Sequence, residues 1–229
     1  MLDKKTLMFL KHLNLNNSKE WLVENKDLYE FVKNDIFSFS QLLISSLENS
    51  DEQISNAHLD YKKCITRLNR DLRFSKDKTP YKTDYYIVLN KNGKNSPSAF
   101  YYVHIEPGNC FAGGGVYNPQ SPELKKIRHK IEHHFDEWMS IITNKEFIQI
   151  FPIGICNSGV LKNVPRGFNR DSPAMEFLKM KGFYTMKNMT DKEIVSEDVV
   201  EKIMNCFRAT KPLIHFLNQA IEVKSLENR

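Results

Sequence analysis

The sequence predicts an α+β fold in which a central antiparallel sheet is flanked by N-terminal, middle and C-terminal helices. Three observations carry that prediction. Apolar residues recur at helical spacing through the first sixty residues and again toward the C-terminus. After residue 60 the rhythm changes to short β-branched and aromatic runs. Turns rich in Asn, Pro and Gly separate those runs, which favours a meander, because parallel neighbours need long crossovers.

Thr6 to Leu13 puts Leu7, Phe9, Leu10 and Leu13 on one helical face. Asn17, with Glu20 three residues on, has the pattern of a capping box that opens the next helix. Trp21, read as a core anchor, begins a 3.6-residue rhythm continued by Leu28, Val32 and Ile36. Phe39, Leu42, Leu43 and Leu47 extend it, in a second helix or after a bend. Lys63 to Leu68 fits a strand, Tyr85 to Leu89 a clearer one, and Ala99 to Ile105 and Cys110 to Tyr117 follow. Ser121 then caps a helix with Pro122 at its first position, and Leu124, Ile127, Ile131, Phe135, Trp138 and Ile142 mark one long apolar face. Gly154 and Gly159 leave Phe147 to Val160 ambiguous. Asp171-Ser172-Pro173 opens a helix toward Met175, Phe177 and Leu178, and Gly182 to Met186 reads as an edge strand. The last helix runs from about Ser196 to Leu217, kinked or divided at Pro212, which has no N–H to donate.

At 229 residues and 41% hydrophobic, with 15 Phe and 9 Tyr, the chain is too apolar for disorder. Surface scaling predicts that roughly 70% of its area is buried on folding, so no metal or disulfide staple is needed. No apolar run approaches the length of about 18 residues that a membrane span requires. The start lacks the apolar core and cleavage site of a signal peptide, so the expected location is cytoplasmic, without a membrane partner. No repeat or linker divides the chain, and residues 1–229 are expected to form a single domain. Cys64, Cys110, Cys156 and Cys206 lie far apart, with no C-x-x-C pair, and read as small core residues.

The net charge of +5 is unevenly spread: residues 1–61 sum to −4, residues 62–91 to +6 and the remainder to +3. The densest chemistry lies between Arg67 and Thr83, where Arg67, Arg70, Arg73, Lys76, Lys78 and Lys82 are interleaved with Asp71 and Asp77. Arginine offers a planar fork for phosphate or carboxylate and lysine a mobile point charge. Asp71 and Asp77 can fix the directions of those cations, Pro80 stiffens the backbone and Tyr81 adds an aromatic body with a polar tip. Such a loop can close on an anion, lie along a nucleic-acid backbone, or be a surface loop held by its own ion pairs.

This segment resembles the signature of a widespread microbial family, domain of unknown function 2461. Further stretches resemble the same family: Phe9-Leu10 with Asn16 to Trp21, Tyr101 to Pro107, Gly113 to Pro119, Pro165-Arg166-Gly167-Phe168 and Asp171-Ser172-Pro173. The likeness runs in order over about residues 5–220. It implies a single domain and brings no activity, cofactor or catalytic residue with it.

The candidate site combines these motifs. Ligand binding is assigned to Arg67, Arg70, Asp71, Arg73, Lys76, Lys78, Tyr81, Lys82, Tyr102, Gly114 and Arg166, and acid–base chemistry to His104 and Glu106. On an alternating strand Tyr102, His104 and Glu106 share one face, which makes it polar, while Tyr101, Val103 and Ile105 face the other way. Histidine exchanges protons near neutral pH when a carboxylate or substrate atom lies within reach. Gly113 to Gly115 lets a backbone come close, either to an anion or to the rest of the protein. His129-Lys130-Ile131-Glu132-His133 spells H-x-x-E-H, a zinc-peptidase spacing. Lacking a partner motif for a third ligand, it reads as solvent-facing side chains of an amphipathic helix, and no metal is assigned.

The leading expectation is a protein that binds a small anionic or phosphorylated molecule on the basic loop and polar sheet face, with acid–base chemistry at His104. Nucleic-acid binding by the same segment, with Phe74 and Tyr81 for stacking, is the alternative. A structural or protein-interaction domain is the third reading. The arrangement of the cations discriminates. Basic side chains buried around an enclosed pocket favour the small anion, an exposed stripe favours the polymer, and tight internal pairing favours the structural role.

Overall fold

The Asp3 carboxylate accepts from the Lys5 N–H at 2.8 Å and caps α1 (Lys4–Leu15) at the start of the computed structural model, which describes residues 1–223. The next cap falls one residue later than its sequence pattern. Ser18, in extended backbone, accepts from the Trp21 N–H at 3.1 Å and opens α2 (Lys19–Glu24), because the Asn17 side chain is engaged elsewhere. Asn25 ends that helix by donating its side-chain amide to the Trp21 carbonyl at 2.9 Å, and α3 (Lys26–Glu48) follows. Val32, Ile36, Phe39, Leu43 and Leu47 form its buried stripe at the expected spacing. Asp35 ties α3 to α1, accepting from the Asp3 N–H at 3.0 Å and the Thr6 hydroxyl at 2.5 Å. Phe9 and Phe39 are the fully buried aromatics of these helices, and Trp21 is not. Trp21 is half-buried, its ring 5.7 Å from that of Phe9, on a six-residue helix that buries none of its side chains completely. A short α4 (Glu52–Ser55) completes the N-terminal helices.

Four strands, β1 (Tyr85–Leu89), β2 (Phe100–Ile105), β3 (Cys110–Val116) and β4 (Phe183–Met189), form an antiparallel sheet in the order β1-β2-β3-β4, and the chain is α+β. The period of two is plain in β1, where Tyr85, Ile87 and Leu89 are buried and Tyr86 and Val88 half-buried. Lys63 to Leu68 does not form a strand. It makes one isolated bridge, Ile65 to Ile87, and the next residue, Asn69, makes another to Tyr81. At Tyr86 the acceptor for the backbone N–H is the Thr66 hydroxyl, at 2.9 Å, so a side chain interrupts the ladder.

The long apolar face after residue 120 belongs to two helices, α5 (Ser121–His133) and α6 (Phe135–Ile142), broken at His134, whose backbone leaves the helical region (φ −122°, ψ 45°). The cap of α5 is Gln120, with Pro122 inside the first turn. Three short helices follow, α7 (Lys145–Ile150), α8 (Met175–Leu178) and α9 (Asp191–Ile194). The last, α10 (Val199–Glu222), continues undivided through Pro212. No helix among the described residues is long and apolar enough to cross a membrane.

Two compact units are assembled from this order. The first comprises Met1–Lys94, Tyr102–Ala112 and Asn188–Met204; the second comprises Asn95–Tyr101, Gly113–Lys187 and the chain from Asn205. Within the second, Trp138 is fully buried against Phe177, Phe183 and Phe216 at ring separations of 5.3 to 5.8 Å. Asn218 pins the Ala99 backbone there, accepting its N–H at 2.7 Å.

All four cysteines are free, with Cys64, Cys110 and Cys206 buried and Cys156 half-buried. Burial pushes the first three thiols up to about 11 from 9.0. Native protein at pH 8 is therefore expected to react with a thiol reagent first at Cys156, and at the others only on unfolding. Mass-spectrometric mapping that finds all four labelled together would contradict this. Unfolded thiols lose protons above about pH 9 that native thiols hold, so this contribution to stability is complete below 9 and declines toward 11.

Candidate functional site

The basic segment is an arm closed at its neck. Arg70 donates its N–H to the Pro80 carbonyl at 3.0 Å, and Lys82 donates to that of Leu68 at 2.8 Å. The Asn17 side chain holds the same point in the manner of a neighbouring strand: its amide donates to the Tyr81 carbonyl at 2.9 Å and its oxygen accepts the Tyr81 N–H at 3.1 Å. Tyr81 thus contributes its backbone to the neck, and its side chain is half-buried.

Inside the arm the two carboxylates set the shape. Asp77 accepts from the Thr79 N–H at 2.9 Å and pairs with Arg70, which also reaches the Thr79 hydroxyl. The Thr79 N–H, and then Arg70, hold the Asp77 carboxyl at about 2, below its ordinary 3.8. That contribution is present above pH 4 and fades only as pH falls toward 2. Asp71 accepts the Arg73 guanidinium as a fork, at 2.9 and 2.6 Å, and its carboxyl is likewise lowered, chiefly by that bond. Arg70 and Arg73 therefore have partners within the arm. Arg67, Lys76, Lys78 and Lys82 have no carboxylate partner among the described residues, although Lys78 donates to the Leu72 carbonyl at 3.1 Å. Arg67, Lys76 and Lys78 are exposed and Lys82 is half-buried. Phe74 is 95% exposed, and the Arg73 guanidinium lies 6.0 Å from its ring centre.

The polar sheet face is present but mostly covered. Tyr102 and His104 are buried, and Glu106 is half-buried. The His104 ring sits between Tyr86 and Phe111, at 4.3 and 4.4 Å. Its Nδ1 lies 2.8 Å from the Asn109 carbonyl, which can only accept, so this geometry assigns a proton to Nδ1. Nε2 then faces two carboxylates, Asp84 at 3.5 Å and Glu106 at 3.9 Å. Glu106 also accepts from the Asn109 side chain at 2.7 Å and, with Thr83, Lys11 and Asp191, lines a cavity of about 350 Å³. Chemically this group can pass a proton between imidazole and carboxylate at the edge of that cavity.

Gly114 and Arg166 belong to the second unit, whereas the arm and His104 belong to the first. The Gly114 N–H donates to the Thr185 hydroxyl at 3.2 Å, and its carbonyl accepts from the same hydroxyl, so this amide is engaged within the protein. Arg166 is exposed in a loop beside Gly167, whose φ is +87°. Within the first unit the structure thus groups His104 with Glu106, and Arg70, Asp71, Arg73, Lys76 and Lys78 on one arm.

Sequence reasoning missed Asp84, Tyr86 and Asn17. Asp84 and Tyr86 meet His104 across neighbouring strands, a relation that depends on strand register. Asn17 looks like a helix cap because caps and backbone clamps use the same amide. The position of Asp84 directly before a clear strand was the one signal to follow.

A family model described as "Conserved hypothetical protein (DUF2461)" matches residues 5–216. No curated protein and no solved structure matches the chain.

Proposed function

We propose, for a chain that belongs to the DUF2461 family of conserved hypothetical proteins, that the arm between Arg67 and Lys82 binds single-stranded nucleic acid. The observation that carries this reading is Phe74, an aromatic ring 95% exposed beside Arg73 on an arm with four cations that lack a carboxylate partner among the described residues. Burying that ring against a base offsets its exposure, and such stacking contributes about 1–3 kcal/mol per base whatever the sequence. The lysines and Arg67 supply the phosphate contacts. Arg70 and Asp77 hold the arm in shape rather than touch the ligand.

The small-anion expectation called for basic side chains around an enclosed space. The cations here are mostly exposed, and the cavity beside Glu106 takes only Lys11 as a cation, opposite two carboxylates. That balance favours a polymer along the arm. His104 and Glu106 stand apart from this binding, as the place for acid–base chemistry on a small ligand in that cavity.

Fluorescence anisotropy with labelled DNA and RNA strands of about 12 nucleotides tests the proposal. Phe74→Ala is expected to weaken binding about 5- to 150-fold with the fold unchanged by circular dichroism. Inorganic phosphate, as competitor, is expected to displace little. Equal affinity for wild type and Phe74→Ala would overturn the reading, as would displacement by low millimolar phosphate, which would return the arm to a small anion.

A further inference from the structure

The geometry points to a divalent transition-metal site of the zinc type on α5, formed by His129, Glu132 and His133 in the second unit. Positions i, i+3 and i+4 share one side of a helix, and the three candidate ligand atoms lie within 4.8 Å of one another. Donors sharing a tetrahedral zinc stand about 3.4 Å apart, so rotations within the side chains suffice to close the set.

A second element, the loop after Gly167, packs against these side chains. Metal-binding imidazoles commonly donate their other N–H to a carbonyl, and ligating carboxylates are themselves hydrogen-bonded. His133 Nδ1 lies 2.8 Å from the His129 carbonyl, which can only accept, so the proton belongs on Nδ1 and Nε2 is the nitrogen left to bind a metal. Glu132 accepts the Asn169 N–H at 3.1 Å, from a different loop. The neighbouring Phe168 ring lies 4.6 Å from that of His129, at 33°. The loop after Gly167 therefore orients two of the three ligands from outside their own helix. Two imidazoles and one carboxylate suit Zn²⁺, Co²⁺, Ni²⁺ or Cu²⁺ better than Mg²⁺ or Ca²⁺. Three protein ligands leave coordination open to solvent, and exposed His133 gives the ion a route in.

The test uses the full chain, carrying no added histidine tag, titrated with Zn²⁺ against a chromophoric chelator and with Co²⁺ followed by visible absorption. Wild type is expected to take up Zn²⁺ at micromolar concentration and to give the absorption of a low-coordinate Co²⁺ ion. His133→Gln and Glu132→Gln are each expected to weaken Zn²⁺ at least about tenfold and to remove the Co²⁺ bands. Glu132→Gln keeps an acceptor for Asn169, so the loop contact survives in that variant. His134→Gln, one residue on but outside the set, is expected to bind as wild type. No uptake by wild type, or a loss of less than about tenfold in either ligand variant, overturns the site.

Discussion

Trp138→Ala is expected to destabilise the second unit by about 3–5 kcal/mol, the range for removing a large aromatic from a packed core. The indole is fully buried among Phe177, Phe183 and Phe216, so its loss leaves a cavity bounded by three rigid rings rather than by side chains that can move in. The expectation separates packing from hydrogen bonding. The Trp138 Nε1 has no hydrogen-bond partner among the described residues, so Trp138→Phe removes an unsatisfied donor and keeps most of the ring contact. It is expected to cost about 1 kcal/mol. Urea unfolding followed by circular dichroism reads both, as a fall in midpoint at unchanged slope. Equal losses in the two variants would mean that the indole N–H, rather than the ring, matters there.

Gly113→Ala is expected to be comparably severe, at about 3 kcal/mol or more, for a steric reason. A Cβ at Gly113 would lie 2.0 Å from the Thr185 carbonyl oxygen and 2.8 Å from its carbon. Both are backbone atoms, so no side chain can turn aside and β3 and β4 would have to separate. Gly108→Ala is the contrast. Its φ of +77° disfavours alanine, but nothing lies within 4 Å, so the cost is the strain alone, about 1–2 kcal/mol. Thermal unfolding of the two variants side by side decides the point. A Gly113→Ala protein as stable as Gly108→Ala would refute close strand packing as the reason for the glycines. If the packing account holds, the glycine run serves the sheet rather than an anion, in keeping with the Gly114 amide bound to Thr185.

The periodicity of Val32, Ile36, Phe39, Leu43 and Leu47 made α3 legible because burial of one helical face is a local pattern. The strand from Tyr85 to Leu89 was legible for the same reason, with a period of two. The boundaries were less so. Asn17 and Ser18 are both competent caps, and which one serves depends on Tyr81, sixty-four residues away. Lys63 to Leu68 has strand composition, but the Thr66 hydroxyl takes the place of a ladder acceptor. At the candidate site, the spacing that predicts His104 and Glu106 as neighbours is matched by a separation of 3.9 Å between His104 Nε2 and the Glu106 carboxylate. The burial of His104 under Tyr86 and Phe111 was not foreseeable, because it depends on which strands are neighbours. Nor could spacing decide which arginines bind carboxylates within their own loop, since Arg70 and Arg73 chose partners seven and two residues distant in opposite directions.

The salt dependence of binding addresses the phosphate-binding role of the arm most directly. Each single-strand phosphate neutralised lowers the slope of log K against log salt by about 0.7, so engagement of Arg67, Lys76, Lys78 and Lys82 predicts a slope near −2.8. Replacing Lys76 and Lys78 together by alanine should bring it to about −1.4. A slope near zero in wild type, or one that the double replacement leaves unchanged, would show that these cations do not meet phosphate.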